Sequence, residues 1–274
     1  MSADDDEMGP VAFGWLTIEY AIPFRVSPCS TRCVFNATKR GGSLRSVESN
    51  SLSGVVDADL RARRVGGYET ARPDVQAHVP VSAKAILELG CSTGALGAAL
   101  KQRQDTRVVG VEMTPEYAVE AETRLDRVIV SDVEAFLDGP VPEEAPFDCL
   151  IAADVLEHLV DPWSVLRRAA DLMAPGATAV LSLPNVTYGP ALWKVLRTGH
   201  WPREDAGTFD RTHLRWFTLR DALDLLTQAG LEPSAVEPRY WKEGWRLVWR
   251  RVLSRTSLQR FLAAQYVLSA TKSY

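Results

Sequence analysis

A short glycine-rich segment, LELGCSTGALG at residues 87–97, has the composition of a ligand-binding turn. An apolar run leads into small residues and then into a helical pattern, so the backbone can approach a ligand and the N–H groups of the helix start can face it. The spacing of Gly90, Gly94 and Gly97 differs from the Gly-x-Gly-x-x-Gly of a dinucleotide site, and the Gly-Lys-Ser/Thr of a phosphate-binding loop is absent. The segment therefore predicts a small-molecule site of another kind.

Acidic residues follow the next two apolar runs along the chain. Glu112 ends the run RVVGVE, and an acid at the end of a second strand can accept hydrogen bonds from the ribose hydroxyls of a nucleoside. Asp132 follows the run RVIV, where its carboxylate could accept a hydrogen bond from the exocyclic amine of an adenine. Alone, Asp132 is equally well explained as a helix cap, but its place after Glu112 favours a ligand role.

Apolar runs of strand length alternate with helical patterns, which predicts a parallel sheet with helices on both faces. The predicted strands are residues 85–89, 107–112, 127–130, 147–152 and 178–183. Asp161 before Pro162 has the pattern of a helix N-cap, as has Thr218 three residues before Asp221, and Gly230 is a stop signal. The sequence therefore predicts an α/β fold of the doubly wound, Rossmann-like type.

These motifs resemble the successive motifs of class I S-adenosylmethionine-dependent methyltransferases. The resemblance runs from about Tyr68 to the C-terminus and includes FDCLIAADVLEHL at residues 147–159. It implies a seven-stranded sheet, mostly parallel with an antiparallel last strand, in a methyltransferase domain at residues 65–274. Ser92 departs from the family pattern, which often has a second glycine there, but serine is small enough for the turn to survive.

The resemblance also assigns residues to the cofactor, S-adenosylmethionine. Glu88 and the turn at residues 90–94 would line the methionine end, and Glu112 would bind the ribose. Asp132 would contact the adenine, and Asp154 would lie beside the transferable methyl group. The predicted cofactor-binding residues are Glu88, Gly90, Cys91, Ser92, Thr93, Gly94, Glu112, Met113, Asp132, Val133 and Asp154.

A second, local resemblance concerns DRTHLRWFT at residues 210–218, which is similar to a segment of bacterial methyltransferases that modify sugars, glycans or other secondary metabolites. It implies a small cap insertion, residues 186–217, over the acceptor site. The last strand is expected at residues 262–271, as the antiparallel edge usual in this family. Tyr68 and Arg72 are expected to close over the cofactor. The predicted substrate-binding residues are Tyr68, Asn185, Arg211 and Arg215, the two arginines for an anionic acceptor group.

Methyl transfer to a hydroxyl requires alignment of the methyl group with the acceptor oxygen and a base that takes the proton. Of the four histidines, His158 and His213 lie in the segments expected to face the pocket, and an imidazole titrates near neutral pH. Helix-start packing or cofactor contact would also explain His158, and a hydrogen bond within the cap would explain His213. We predict His213 as the base before His158, with Asp154 and Asp210 orienting or replacing either.

Composition and charge disfavour several other classes of protein. The 274 residues contain 31 Lys+Arg and 35 Asp+Glu, a formal net charge of -4, so a nucleic-acid partner is not expected. The apolar run at residues 11–24 is short for a membrane span and follows acidic residues, so neither a transmembrane segment nor a signal peptide is expected. Four scattered cysteines are typical of a cytoplasmic protein. Residues 1–64 are predicted to be a loosely ordered N-terminal extension.

Three tryptophans, Trp241, Trp245 and Trp249, are spaced so that they would share one stripe of a helix, with arginines nearby. Packing of this stripe on the sheet or on the partner in a homodimer is one explanation. A basic amphipathic segment that contacts a membrane surface or an anionic, lipid-linked substrate is the other.

The sequence thus predicts a methyltransferase that acts on a hydroxyl of a small metabolite, sugar or glycan. No Asn-Pro-Pro-Tyr follows the fourth strand, which disfavours the amide and nucleobase N-methylating branch. The alternatives are N- or C-methylation of a natural product, an NAD-dependent oxidoreductase, and a non-catalytic cofactor-binding protein. No metal site is predicted because no compact cluster of carboxylates and histidines is evident, although Asp154 and Asp210 could meet in space.

Overall fold

The computed structural model describes residues 69–240 and 260–273. The predicted N-terminal extension at residues 1–64, the candidate ligand Tyr68 and the tryptophan stripe within residues 241–249 lie outside the described residues. Within the described part of the chain, no helix is long and apolar enough to cross a membrane.

Seven strands form one sheet. They are β1 (Ala85–Leu89), β2 (Arg107–Glu112), β3 (Arg127–Val130), β4 (Phe147–Ala153), β5 (Met173–Pro184), β6 (Leu231–Arg239) and β7 (Gln265–Lys272). Their order is β3-β2-β1-β4-β5-β7-β6. The first five pair in parallel, and β7 pairs antiparallel with both β5 and β6. The predicted sheet, mostly parallel with an antiparallel last strand, is confirmed.

Helices cover both faces of this sheet. They are α1 (Pro73–Gln76), α2 (Ala95–Arg103), α3 (Pro115–Glu122), α4 (Val133–Asp138), α5 (Pro162–Asp171), α6 (Gly189–Thr198) and α7 (Leu219–Gln228), and a 3-10 turn spans Leu156–His158. Successive residues of a strand face opposite sides. Leu87 and Leu89 accordingly pack with α4, α5 and α7, whereas Ile86 packs with α1, α2 and α3. A doubly wound sheet with two apolar cores results.

The predicted starts of α5 and α7 are confirmed by their capping bonds. The Asp161 carboxylate accepts a hydrogen bond from the Ser164 N–H at 3.1 Å. At α7, the Thr218 hydroxyl accepts from the Asp221 N–H at 3.2 Å, and the Asp221 carboxylate accepts from the Thr218 N–H at 2.9 Å. These bonds satisfy N–H groups that have no partner within the helix.

The position expected for the last strand is wrong in one respect. β7 is not at the edge, because β6 pairs with its outer side and forms the edge itself. β6 contains Pro233 and Pro238 and is mostly exposed. Because proline has no N–H to donate, it is tolerated at an edge and not at the centre of a sheet.

The segment between β5 and α7, where the cap is predicted, contains α6 and a long irregular stretch. Tyr188 and Ala191 of its first part pack with Phe209 and with Ala264, which precedes β7. The segment is therefore anchored to the sheet through its own small apolar cluster.

Candidate active site

A cleft of about 480 Å³ lies at the carboxyl ends of β1 to β4 and has the size of a small-molecule site. Most of the predicted cofactor-binding residues line it, namely Glu88, Gly90, Cys91, Ser92, Glu112, Met113, Asp132, Val133 and Asp154. Thr93 and Gly94 are not among the lining residues. The Thr93 carbonyl instead accepts a hydrogen bond from the Arg124 guanidinium at 2.5 Å, and Gly94 is the N-cap of α2.

The Glu112 carboxylate is fixed by backbone amides on both sides. One oxygen accepts from the Ser92 N–H at 2.9 Å and the other from the Thr114 N–H at 2.8 Å. A carboxylate has about four acceptor positions, so two donors leave room for the hydroxyls of a ribose. The turn after β1 and the end of β2 therefore hold this acid in place where it lines the cleft.

Asp132 is a helix cap that also lines the cleft. Its carboxylate accepts from the Ala135 N–H at 2.7 Å, so it is the N-cap of α4. The same residue lines the cleft. Because the cap uses one oxygen, the carboxylate keeps acceptor capacity for a ligand.

The backbone of the cleft wall is strained at several positions. Gly90 has φ +67°, and a Cβ there would lie 2.3 Å from Val155 Cγ2, so glycine is required. Arg72, Ser92 and Asp154 have φ values of 46°, 48° and 59°, and all three line the cleft. Among the described residues these are the non-glycine positions with positive φ. Such strain is concentrated at binding and catalytic sites in many proteins.

Glu88 is buried beneath the turn, with 4% of its surface exposed. Burial raises the pKa of this acid to about 8; a bond from the Gly97 N–H opposes the shift, and the Glu112 charge adds to it. Its Oε2 atom has no hydrogen-bond partner among the described residues. Ionisation of this buried acid is unfavourable unless a positive charge lies next to it. The ammonium group of a methionine moiety would supply such a charge.

Asp154 follows β4 and is held by a network of hydrogen bonds. Its carboxylate accepts from Arg72, from the Ser182 hydroxyl at 3.1 Å, and from Gln265. Arg72 also pairs with Asp74 at 3.0 Å. Arg72, which was expected to close over the cofactor, thus forms part of the cleft wall and holds the Asp154 carboxylate in place.

The two candidate histidines lie against each other, with ring centroids 4.8 Å apart. His158 is half-buried and lines the cleft. His213 has only 6% of its surface exposed and is not among the lining residues. Burial and the neighbouring His158 lower the pKa of His213. The structure therefore brings the two histidines together, with His158 on the cleft side.

Sequence reasoning missed Glu157, which lies directly before His158 in the 3-10 turn. Its side chain is buried, and its Oε1 atom is 3.9 Å from His213 Nε2. Donor atoms of Glu157, His158 and His213 all lie within 4.8 Å of one another. The sequence showed no compact cluster of carboxylates and histidines, and the fold brings these three residues together. The only sequence signal was an acid beside a candidate histidine in VLEHL.

Two other candidates are engaged in internal hydrogen bonds and are absent from the described lining of the cleft. Asp210 is buried and accepts from the Thr212 N–H at 2.9 Å and from the Thr212 hydroxyl at 2.6 Å. The Asn185 amide donates to the carbonyls of Arg260 and Ala263 at 2.7 and 2.8 Å. Both residues thus fix the chain around the cleft, and Thr212 itself lines it.

The two arginines predicted for an anionic acceptor lie in the same segment and also have internal partners. Arg211 pairs with Asp205 and is half exposed. The Arg215 guanidinium donates to the Val160 carbonyl, with Nε at 3.1 Å. Neither arginine is among the described residues that line the cleft.

A family model described as a methyltransferase domain matches residues 67–236. The chain belongs to this methyltransferase domain family. A solved S-adenosylmethionine-dependent methyltransferase from Mesorhizobium loti shares the fold with a TM-score of 0.52 and 19% identity, over 76% of this chain and 100% of that one. The predicted family and fold are confirmed. S-adenosylmethionine is the cofactor of these methyltransferases, and the acids and small residues of the cleft fit it.

Curated relatives include enzymes that methylate oxygen. The chain is 32% identical over 125 residues to a ubiquinone biosynthesis O-methyltransferase of Xylella fastidiosa, which covers 44% of this chain and 50% of the relative. It is 26% identical over 191 residues to the 27-O-demethylrifamycin SV methyltransferase of Amycolatopsis mediterranei, covering 66% of this chain and 67% of the relative. The chain thus spans about half the length of the ubiquinone enzyme that it matches.

Proposed function

We propose that this protein is an S-adenosylmethionine-dependent methyltransferase that methylates a hydroxyl group of a small molecule. The observation that carries the proposal is the Glu112 carboxylate, which two backbone amides hold in the cleft at the end of β2. An acid fixed in this way has the chemistry needed to bind ribose hydroxyls.

The order of the strands supports a defined orientation of the cofactor. The strands β3, β2, β1 and β4 are neighbours in the sheet. At their carboxyl ends lie, in the same order, Asp132, Glu112, the turn at Gly90 and Asp154. Neighbouring strands are about 4.8 Å apart, so the four positions span roughly 14 Å. In this orientation Asp132 binds the adenine and Asp154 lies at the methyl end. When bound, the cofactor supplies an electrophilic methyl carbon on a sulfonium centre.

The acceptor is proposed to enter beside His158, which lines the cleft together with Asp154 and Thr212 and contacts the Thr212 carbonyl. His158 then acts on the proton of the acceptor hydroxyl, while His213, Asp210 and Asp154 hold the surrounding groups in place. Oxygen as the target is supported by the names of the relatives, which include a ubiquinone biosynthesis O-methyltransferase and a 27-O-demethylrifamycin SV methyltransferase. A sugar, glycan or other metabolite as the acceptor, a homodimer and a cytoplasmic location stay predictions from the sequence.

The test is to incubate the purified protein with S-adenosylmethionine and a panel of acceptors that bear phenol, sugar hydroxyl, amine or acidic C–H groups. Release of S-adenosylhomocysteine with methylation of the hydroxyl compounds is the expected result. The His158→Gln variant is expected to lower kcat at least about 100-fold while cofactor affinity stays unchanged. His200→Gln, at an exposed histidine, is the matched control and should leave kcat unchanged.

Methylation of amines alone would overturn the assignment of oxygen as the target. Full turnover by the His158 variant would overturn the role of that residue. Binding of NAD in place of S-adenosylmethionine would make an oxidoreductase the better account of the fold.

A further inference from the structure

Three side chains of metal-ligand type form one cluster beside the cleft: Glu157, His158 and His213, here called the Glu-His-His cluster. Their donor atoms lie within 4.8 Å of one another. Glu157 and His213 are buried, with 1% and 6% of their surfaces exposed, and His158 is on the cleft wall. The cluster therefore has a closed side within the protein and an open side toward the cleft.

The Glu157 carboxylate is buried without a hydrogen bond to the described residues that would compensate for its loss of water. Neither of its oxygens has a hydrogen-bond partner in another described residue. Buried carboxylates are normally hydrogen-bonded, ion-paired or bound to a metal ion. A cation would compensate the charge at this position.

Both imidazoles are oriented as metal ligands usually are. Nδ1 of His158 is 3.2 Å from the Thr212 carbonyl, and Nδ1 of His213 is 3.3 Å from the Thr208 carbonyl. A carbonyl oxygen can only accept, so each Nδ1 donates a proton, and Nε2 is the nitrogen that a neutral imidazole would offer to a metal ion. Metal-binding histidines typically donate their other N–H to a carbonyl or carboxylate in this way.

Backbone hydrogen bonds hold the segment of Glu157 and His158 against the segment of His213. The Glu157 carbonyl accepts from the N–H of Leu214 at 2.8 Å and from that of Arg215 at 3.0 Å. These bonds tie the 3-10 turn after β4 to the segment that carries His213. The ligands thus come from two segments that are joined independently of any ion.

We propose that the Glu-His-His cluster is a binding site for one divalent transition-metal ion. Two imidazoles and one carboxylate suit Zn²⁺, Co²⁺ or Fe²⁺, whereas Mg²⁺ and Ca²⁺ prefer oxygen ligands. At bond lengths of about 2.1 Å, tetrahedral ligand atoms are about 3.4 Å apart, so the side chains need to move inward by less than about 1 Å each. Three protein ligands leave a coordination position for a further molecule.

The role of the ion rests on the proposed function. His158 lines the cleft, so the remaining coordination position is on the acceptor side, where an acceptor hydroxyl can bind. Coordination to a divalent ion lowers the pKa of a hydroxyl or water. His158 would then hold the ion instead of accepting the proton itself, and the proton of the coordinated hydroxyl would pass to water in the open cleft.

The site is tested by metal binding alone, without cofactor or acceptor. Protein purified without a polyhistidine tag is treated with a chelator, dialysed and titrated with Co²⁺, whose visible absorption reports coordination, and Zn²⁺ is then added as a competitor. One Co²⁺ per chain, displaced by Zn²⁺, is expected. Glu157→Gln and His213→Gln are expected to weaken binding at least tenfold, and His200→Gln, at an exposed histidine, is expected to leave it unchanged.

Thermal unfolding with and without Zn²⁺ checks that each variant is folded and gives a second readout for the wild-type protein. Absence of stoichiometric binding by the wild-type protein would overturn the proposal, as would equal binding by the wild-type and Glu157→Gln proteins. Full methyl transfer in the presence of chelator, with no ion bound, would overturn the proposed role of the ion and leave the proposed function standing. An ion bound to the cluster in a protein that does not bind S-adenosylmethionine would overturn the proposed function and leave the metal site standing.

Discussion

Replacement of Glu88 by glutamine is expected to change how stability depends on pH. The pKa of Glu88 is raised from 4.5 to about 8 in the folded protein, mainly by burial. Between these values the unfolded chain ionises this acid while the folded chain keeps it protonated. The free energy of unfolding therefore falls as the pH rises from about 4.5 to about 8. At 1.36 kcal/mol per pKa unit, the loss at pH 7 is about 3 kcal/mol.

Denaturant unfolding of the wild-type protein and Glu88→Gln at intervals from pH 5 to pH 8 measures this contribution. The difference between the two free energies of unfolding should shift in favour of the variant by about 3–4 kcal/mol across this range. Glu122→Gln, at an exposed position at the end of α3, is the matched control and should give a nearly constant difference from the wild type. A constant difference for Glu88→Gln as well would refute the reasoning from burial.

Three further substitutions test the turn and a helix cap by denaturant unfolding. Gly90→Ala should cost about 1–3 kcal/mol more than Gly199→Ala, because both have positive φ but only at Gly90 does a Cβ clash, with Val155; equal costs would contradict the clash. Ser92→Gly should raise the free energy of unfolding by about 0.5–1 kcal/mol by relieving left-handed strain, and destabilisation would count against that strain. Thr218→Ala should lower it by about 1 kcal/mol, and no change would mean that the cap contributes nothing.

The central strands could be predicted because their residues are apolar and buried. β1, β2 and β3 have the predicted bounds, and β4 and β5 extend the predicted runs. A continuous apolar run between turn signals is the pattern of a strand buried on both faces. The capping residues Asp161 and Thr218 were equally clear, since their hydrogen bonds are local.

The sheet edge could not be predicted in the same way. β6 is mostly exposed and contains two prolines, so its sequence lacks both apolar alternation and strand propensity. It is a strand because β7 pairs with it from Leu231 to Arg239, with one irregularity between Pro233 and Ala235. The position of β7 between β5 and β6 depends on such pairing, so the local sequence of β7 does not indicate it.

The acceptor side of the site was only partly predictable. His158 and His213 were singled out by residue type, but their positions depend on contacts between distant segments, such as the Glu157 carbonyl with the Leu214 N–H. Glu157 itself follows an apolar stretch and looks like any acid at a helix start. Its burial, which marks it as a candidate site residue, is a property of the tertiary structure.

The most direct test of the cofactor site is a calorimetric titration with S-adenosylmethionine. The wild-type protein is expected to bind one molecule per chain. Glu112→Gln should weaken binding at least about tenfold, since it removes a charged acceptor of the ribose hydroxyls, and Glu122→Gln should bind as the wild type does. No binding of S-adenosylmethionine by the wild-type protein, or unchanged affinity in Glu112→Gln, would contradict the account of this cleft.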